Sequence, residues 1–363
     1  MDLELSDEQT WLSESVEALL ARRWRPAPDA PGGDAEQRAA LWSELVEFGA
    51  LGVGGDEGLG AIELCLVARG LGGHLAPLPY LGSAAVRFAA AAGHGEPPSA
   101  FAALAAGADA VAPALLEPGG GWDPGAARTA IAAGALHGRK VGVEHVGAAQ
   151  RLAVLVAGPD GPGLALVARD AVGVTIDEQP AFDPTTPLHG IAFDGVAVEA
   201  GQVVADSEVV GRLMAIGALL AAAEAVGAAG RLLDDACRYA GERRQFGRSI
   251  GSFQALRHLL ADMYVRHASS WSSVLYAAAA LDEGDEHAKR TASIAKAYVS
   301  RSTREVAHGA IQVFGGIAIT AEHPAHRYLR RIVVREQQFG DAAHHERALG
   351  RALAAAVVHQ PVS

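Results

Sequence analysis

Twice along its 363 residues this chain changes the period of its apolar pattern, and that double change restricts the fold more than any single motif. Up to about residue 108 the apolar positions recur at three and four. Trp11, Leu12, Val16, Leu19 and Leu20, following Ser6-Asp7-Glu8, form one helical face behind a capping serine. A linker rich in proline and glycine, PAPDAPGGDAE, ends this helix. A second helix is predicted from about Ala35 to Phe48, and further helical sequence covers 60–74 and 82–107, divided by the prolines of LAPLPY. From Asp109 to about Val204 the period shortens. Runs such as TAIAAGAL, RLAVLVA, LALVA and VGVTI alternate with glycine, proline and aspartate at intervals of roughly ten residues, which predicts an antiparallel sheet or small barrel. HGIAFDGVAV, with Asp194-Gly195 between alternating residues, predicts a closing hairpin. After Asp206 the helical period returns in long segments at about 207–241, 253–283, 286–313 and 322–358, enough for a four-helix bundle. The predicted class is α+β: an N-terminal helical domain (1–108), a middle antiparallel β-domain of sandwich or barrel type (109–205) and a C-terminal four-helix bundle (206–363).

Charge and composition exclude several functions. A formal net charge of -12 argues against nucleic acid as the main partner, although a local basic site can still serve a phosphorylated ligand. Cys65 and Cys237 lie far apart without metal-ligand spacing and are expected to be buried thiols in a reducing compartment. The start, MDLELSDEQTWL, is acidic and amphipathic and does not read as a secretory signal. The Ala-rich run near 215–230 contains Glu224, so it is expected to be a buried bundle helix, with no membrane insertion. The expected location is the cytoplasm.

Within the helical C-terminal part, Arg243-Arg244-Gln245-Phe246-Gly247-Arg248 forms a basic corner between two amphipathic segments. Guanidinium forks match phosphate oxygens, and the helix predicted to start near Ser252 turns its amide-rich end toward them.

Two spaced motifs make the chain resemble the acyl-CoA dehydrogenase family. Arg243-x-x-Phe246-Gly247 followed by Gly251-Ser252-Phe253-Gln254 is similar to that family's RxxFG…FQ signature. Gln312-Val313-Phe314-Gly315-Gly316 resembles its QxxGG signature, continued by Glu322-His323-Pro324 and Arg327-Tyr328-Leu329-Arg330. LELSDEQ also looks like the family's usual beginning, and the order helical, β, helical is the family's own. The resemblance covers essentially the whole chain.

The resemblance implies FAD as cofactor, an acyl-CoA or other acyl thioester as substrate, α,β-dehydrogenation as the reaction and electron-transfer flavoprotein as the acceptor. It also implies a homotetramer, or an α2β2 heterotetramer with a paralogue, in which FAD crosses a subunit interface. Arg243, Gln245 and Phe246 of one subunit and Gln312, Gly315 and Gly316 of the next are then the residues for the ADP half. Arg243 suits the pyrophosphate, and Gly315-Gly316 allow close backbone approach.

The chain departs from the family at the flavin ring and at the base. In Leu116-Glu117-Pro118-Gly119-Gly120-Gly121-Trp122-Asp123 a leucine and a tryptophan stand where the family has threonine and serine. In Gly138 to Glu144, Gly142 replaces the usual tryptophan and Glu144 the usual threonine. Phe339, in Gln338-Phe339-Gly340-Asp341, occupies the place of one branch's catalytic glutamate, and Gly217 or its neighbours that of the other branch. Asp341 and Glu224 are the nearest acids and the two candidate bases, Asp341 also being suited to cap a helix from Ala342. Glu224 in its apolar setting must be paired, protonated or solvated. His344-His345 point about a hundred degrees apart on a helix, so no metal site is expected there. GDAAHH further resembles actinobacterial-type family members, some of which are second subunits of α2β2 steroid side-chain dehydrogenases. Two readings stand: an active FAD-dependent dehydrogenase with its own base, or a half-site subunit that completes the FAD site of a catalytic paralogue.

Overall fold

The computed structural model describes residues 3–26, 30, 32–53, 58–91, 98–106 and 108–358. Its α-helices are α1 (Asp7–Arg23), α2 (Ala35–Glu47), α3 (Ala61–Gly73), α4 (Tyr80–Ala91), α5 (Ser99–Ala106), α6 (Ser207–Glu242), α7 (Gln254–Asp282), α8 (Ala288–Phe314), α9 (Ala325–Gln337) and α10 (Ala342–Val358). Part of the helix expected over 82–107, residues 92–97 and 107, lies outside the described residues. Two compact units emerge: Met1–Trp24 with Cys65–Ala76 and Ala218–Ser363, and Arg25–Leu64 with Pro77–Gly217.

In the first unit, α1 begins where its sequence requires. Ser6 Oγ accepts from the Gln9 amide at 3.2 Å, while Gln9 Oε1 accepts from the Ser6 amide at 3.1 Å. This reciprocal box satisfies two amides that the helix leaves open. Apolar residues of α6, α7, α8 and α9, from Ala228 through Met263 and Phe314 to Ile332, close into one core. Small residues let α3 and α6 meet backbone to backbone: a Cβ on Gly72 would collide with the Glu224 carbonyl, and one on Gly227 with that of Arg69. By length and composition α6 could cross a membrane, but 83% of its most apolar window is buried inside the protein. It is a core helix. The stretch expected as one helix over 322–358 is two, α9 and α10, because Phe339 and Gly340 take positive φ of 57° and 102° and turn the chain. Cys65 is buried as expected, whereas Cys237 is exposed on the outward stripe of α6.

The second unit is built on eight strands: β1 (Val111–Ala114), β2 (Ala130–Ala132), β3 (Ala135–Glu144), β4 (Arg151–Gly158), β5 (Gly161–Ala168), β6 (Val174–Gln179), β7 (Leu188–Ala197) and β8 (Val203–Val204). They form one sheet in the order β6-β7-β3-β2-β4-β5-β8, with β1 on β4. Inward residues of β1, β3, β4, β5 and β7 share one apolar cluster that includes Leu136, Val154, Val167, Ile191 and Phe193. Antiparallel pairing dominates, but β1 and β2 both run parallel to β4. Local alternation cannot distinguish the two senses, because both have period two. TAIAAGAL, expected as one strand, is the β2–β3 hairpin itself, turning at Ala133-Gly134 with φ of 50° and 78°. Asp194-Gly195 is conversely not a hairpin. The register steps from Leu136↔Val196 to His137↔Asp194, so Gly195, at φ 71°, is the extra residue of a bulge in the continuous strand β7.

Candidate active site

The basic corner is a two-strand hairpin, β9 (Arg244–Gln245) paired with β10 (Arg248–Ser249), that turns at Phe246-Gly247 with φ of 50° and 79°. The Ile250 amide donates to the Arg243 carbonyl at 2.8 Å and closes its base. Arg248 lies over the Phe253 ring at 4.1 Å. Arg243 and Arg244 are exposed, and among the described residues neither side chain is engaged in a hydrogen bond or ion pair. Phe246 is 91% exposed at the tip, its ring edge-on to Phe253 at 6.2 Å between centroids.

Gln312 is exposed on the last turn of α8, and Gly315 ends that helix at φ 67°. A Cβ at Gly315 or Gly316 would meet nothing within 4 Å, so the turn is open. Tyr239, one turn before Arg243, packs edge-on against Phe314 at 5.5 Å between centroids. That contact brings the two motif-bearing helix ends together. Unpaired guanidinium groups on the hairpin, and an open glycine turn at the end of α8, are features that fit the pyrophosphate and ADP half of FAD.

Glu224 stands apart from this corner. It is 5% exposed on α6, and its Oε1 lies 2.7 Å from Arg331 Nη1, its Oε2 2.9 Å from Arg335 Nε. Burial pushes its carboxyl up, and Arg335 and Arg331 more than reverse this, leaving it below the usual carboxylate range. Both guanidinium groups come from α9, a turn apart, and are themselves buried. Sequence reading required a partner for Glu224 but did not identify these two arginines.

Phe339 is 1% exposed. Asp341 Oδ1 accepts the His344 amide at 2.7 Å, the geometry of an N-cap on α10. His345 Nε2 donates to the Phe339 carbonyl at 3.1 Å, and the fully buried Lys296 ammonium donates to the carbonyls of Arg335 and Glu336. The loop is thus held from three sides. Among the described residues no group of three or more His, Cys, Asp or Glu is placed to hold a metal, and the His344 and His345 rings are nearly perpendicular.

The His345 contact predicts a pH dependence. Burial first, then the charges of Lys296 and His344, hold this imidazole down at about 4, against an ordinary 6.5. Below 6.5 the unfolded chain therefore takes up a proton that the folded chain refuses. Stability is complete above 6.5 and falls as pH drops toward 4, by on the order of 3 kcal/mol from this residue. Denaturant titrations across that range should show the parent losing more stability than His345→Gln, and parallel curves would contradict the assignment.

In the second unit, the two segments expected near a flavin ring are joined by a buried ion pair. Lys140 Nζ donates to Glu117 Oε1 at 2.9 Å, and Glu117 also accepts the backbone amides of Arg128 and Thr129 at 2.8 to 3.1 Å. Those bonds outweigh burial and keep the Glu117 carboxyl far below its usual range. Gly142 sits in a bulge of β3 at φ 64°, its amide donating to Gln179 Oε1 at 2.8 Å. These bonds order the segments that the family resemblance places at the flavin-ring site. Its usual hydroxyls and aromatic backing are absent at Leu116, Trp122, Gly142 and Glu144, so the residues fit the ring less well than the ADP half.

Residues 208–354 match the family described as acyl-CoA dehydrogenase, C-terminal domain. The chain is 30% identical over 361 residues to the benzylmalonyl-CoA dehydrogenase of Aromatoleum aromaticum, covering 92% of this chain and 94% of that protein. It is 38% identical over 159 residues to the acyl-CoA dehydrogenase IpdE2 of Mycolicibacterium smegmatis; that match takes 43% of this chain and spans about half of the relative, 46%. Among solved structures, the ChsE4-ChsE5 complex from Mycobacterium tuberculosis superposes with a TM-score of 0.86 at 25% identity, covering 100% of both chains.

Proposed function

Because the chain belongs to the acyl-CoA dehydrogenase family, we propose that it serves FAD-dependent acyl-CoA dehydrogenation as the subunit that grips the ADP half of the cofactor, beside a paralogue that supplies the base and the ring contacts. It is a flavin oxidoreductase by family, and FAD is its cofactor. When bound, FAD supplies the acceptor for the hydride equivalent that leaves the substrate's β carbon. The observation that carries the half-site reading is Phe339, an apolar ring in a closed loop at the place of the family's base.

The other acids support the same reading. Glu224 is bound on both oxygens by arginines, and Asp341 caps a helix. A base must be free to accept the α proton from a bound substrate; both Glu224 oxygens are taken by arginines, and Asp341 already accepts a helix amide on Oδ1. What this chain offers is anion binding: Arg243 and Arg244 bind the pyrophosphate, Gln312 reads the nucleotide edge, and the Gly315-Gly316 turn admits it. Gln245 and Phe246 extend from the hairpin tip toward a neighbouring subunit. Exposed Phe246 and Ile319, at 91% and 79%, are apolar groups that such a subunit would cover. The ChsE4-ChsE5 structure is a complex of two differently named chains, which favours an α2β2 arrangement here over a homotetramer. Electron-transfer flavoprotein is the proposed acceptor and the cytoplasm the proposed location, in keeping with Cys65 and Cys237 forming no disulfide.

Purification decides between the readings. Expressed alone, the chain should be colourless and inert. Co-expressed with a paralogue that carries the glutamate, it should copurify with flavin absorbance and acyl-CoA-dependent reduction of ferrocenium. A yellow protein obtained without any paralogue, bleached by an acyl-CoA, would return the base to this chain.

A further inference from the structure

A cavity of about 410 Å³ opens between α1, α3, α6 and α7, wholly within the first compact unit. It contains none of the motif residues described above. Its size falls at the lower end of small-molecule pockets and far exceeds the room needed by one water. The Arg69 guanidinium of α3 lies over the Trp271 ring of α7, 4.6 Å from its centroid. Burial pulls its pKa down, with Glu17 and Asp234 acting against that pull, yet neither acid closes an ion pair with it. Glu17 is held instead by His74 at 2.8 Å. Among the described residues, no hydrogen bond engages the Arg69 guanidinium. None of its nitrogens is sealed from solvent, so its five N–H donors are open to an acceptor that enters the cavity.

A second group faces the same space. The His267 ring packs under Gly230, where a Cβ would come within 2.7 Å of Nε2, and that buried Nε2 has no hydrogen-bond partner. Leu66, Leu233 and Tyr264 give the cavity apolar wall area beside these polar atoms. Asp234 stands at the exposed edge, and Arg231 beside it is already paired with Asp235 at 3.1 Å. Arg69 is thus, among the described residues, the cation of this wall without a carboxylate bonded to it, with Glu17 and Asp234 also lining the cavity.

We propose that this cavity is a binding site for a small organic anion, whose carboxylate or phosphate is clasped by Arg69, with its carbon portion on the apolar wall. A planar guanidinium already oriented by an aromatic ring loses little freedom on taking a bidentate oxyanion. The site is separate from the cofactor corner and would let a metabolite bind without displacing FAD.

The test uses the protein copurified with its paralogue and saturated with FAD, so that the cofactor corner is filled. Calorimetric titration with inorganic phosphate and, separately, with succinate at fixed ionic strength should show saturable binding of at least one anion, once per chain. Preference for phosphate or for succinate identifies which oxyanion the site takes. Arg69→Gln should weaken that binding at least about tenfold, the loss of a charge-assisted pair. Asp234→Asn, which removes a negative charge from an exposed position, should tighten it. The proposal is overturned if neither anion binds saturably, or if both variants bind like the parent. Should Arg69→Gln fail to fold, Asp234→Asn decides alone, and unchanged affinity there overturns it.

Discussion

Replacing Glu224 by glutamine should destabilise the protein by about 3–5 kcal/mol, the cost of leaving buried charges without their counter-ion. Arg331 and Arg335, 0% and 2% exposed by side chain, would then face a neutral amide in the core between α6 and α9. Denaturant unfolding should show an earlier midpoint with an unchanged slope, the mark of altered stability rather than altered compactness. The pH response should change as well. Because the folded Glu224 carboxyl lies below its usual value, its contribution is present at neutral pH and lost as pH falls below the unfolded carboxyl range, near 4.3. The glutamine variant lacks that component. A variant of unchanged stability whose flavin turnover is abolished would instead assign the carboxylate to the chemistry.

Arg243→Gln should act in the opposite way, leaving folding intact and releasing the cofactor. Arg243 is exposed and makes no ion pair among the described residues, so its removal should shift stability by no more than about 0.5 kcal/mol. Loss of a charge-assisted pyrophosphate contact is worth about 1.5–3 kcal/mol, a decrease in FAD affinity of roughly ten- to a hundredfold. Flavin release from the assembled protein under dilution measures this directly. Arg243→Lys should recover only part of the affinity, because a point charge cannot span two oxygens as a fork does. Unimpaired FAD retention by both variants would remove Arg243 from the cofactor site.

How far the site was legible differs residue by residue. Arg243, Phe246 and Gly247 could be read as a tight basic turn because its chemistry is local: glycine for positive φ, guanidinium groups for the anion. Gln312 and Gly315-Gly316 were legible for the same reason, as a helix ending on glycine. Asp341 could be read only as an alternative between base and cap, and the 2.7 Å bond from the His344 amide shows the cap contact. Glu224 announced that it needed partners, but these lie 107 residues away in Arg331 and beyond. Asp194-Gly195 carries the composition of a hairpin turn and is a bulge, because the competing signal, a continuous partner strand, comes from residues 135–144.

The chain's periodicities, caps and glycine turns were enough to place its helices, the strand-rich middle and the basic corner, since each depends on neighbours within a turn or a pleat. Pairing was settled elsewhere. That β1 and β2 run parallel to β4, that two arginines of α9 neutralise Glu224, and that Arg69 and His267 border one cavity all follow from contacts between distant segments. Their physical basis is burial: a charge or a strand edge taken out of water must find its partner in whatever the fold brings alongside, and local sequence does not record which segment that is.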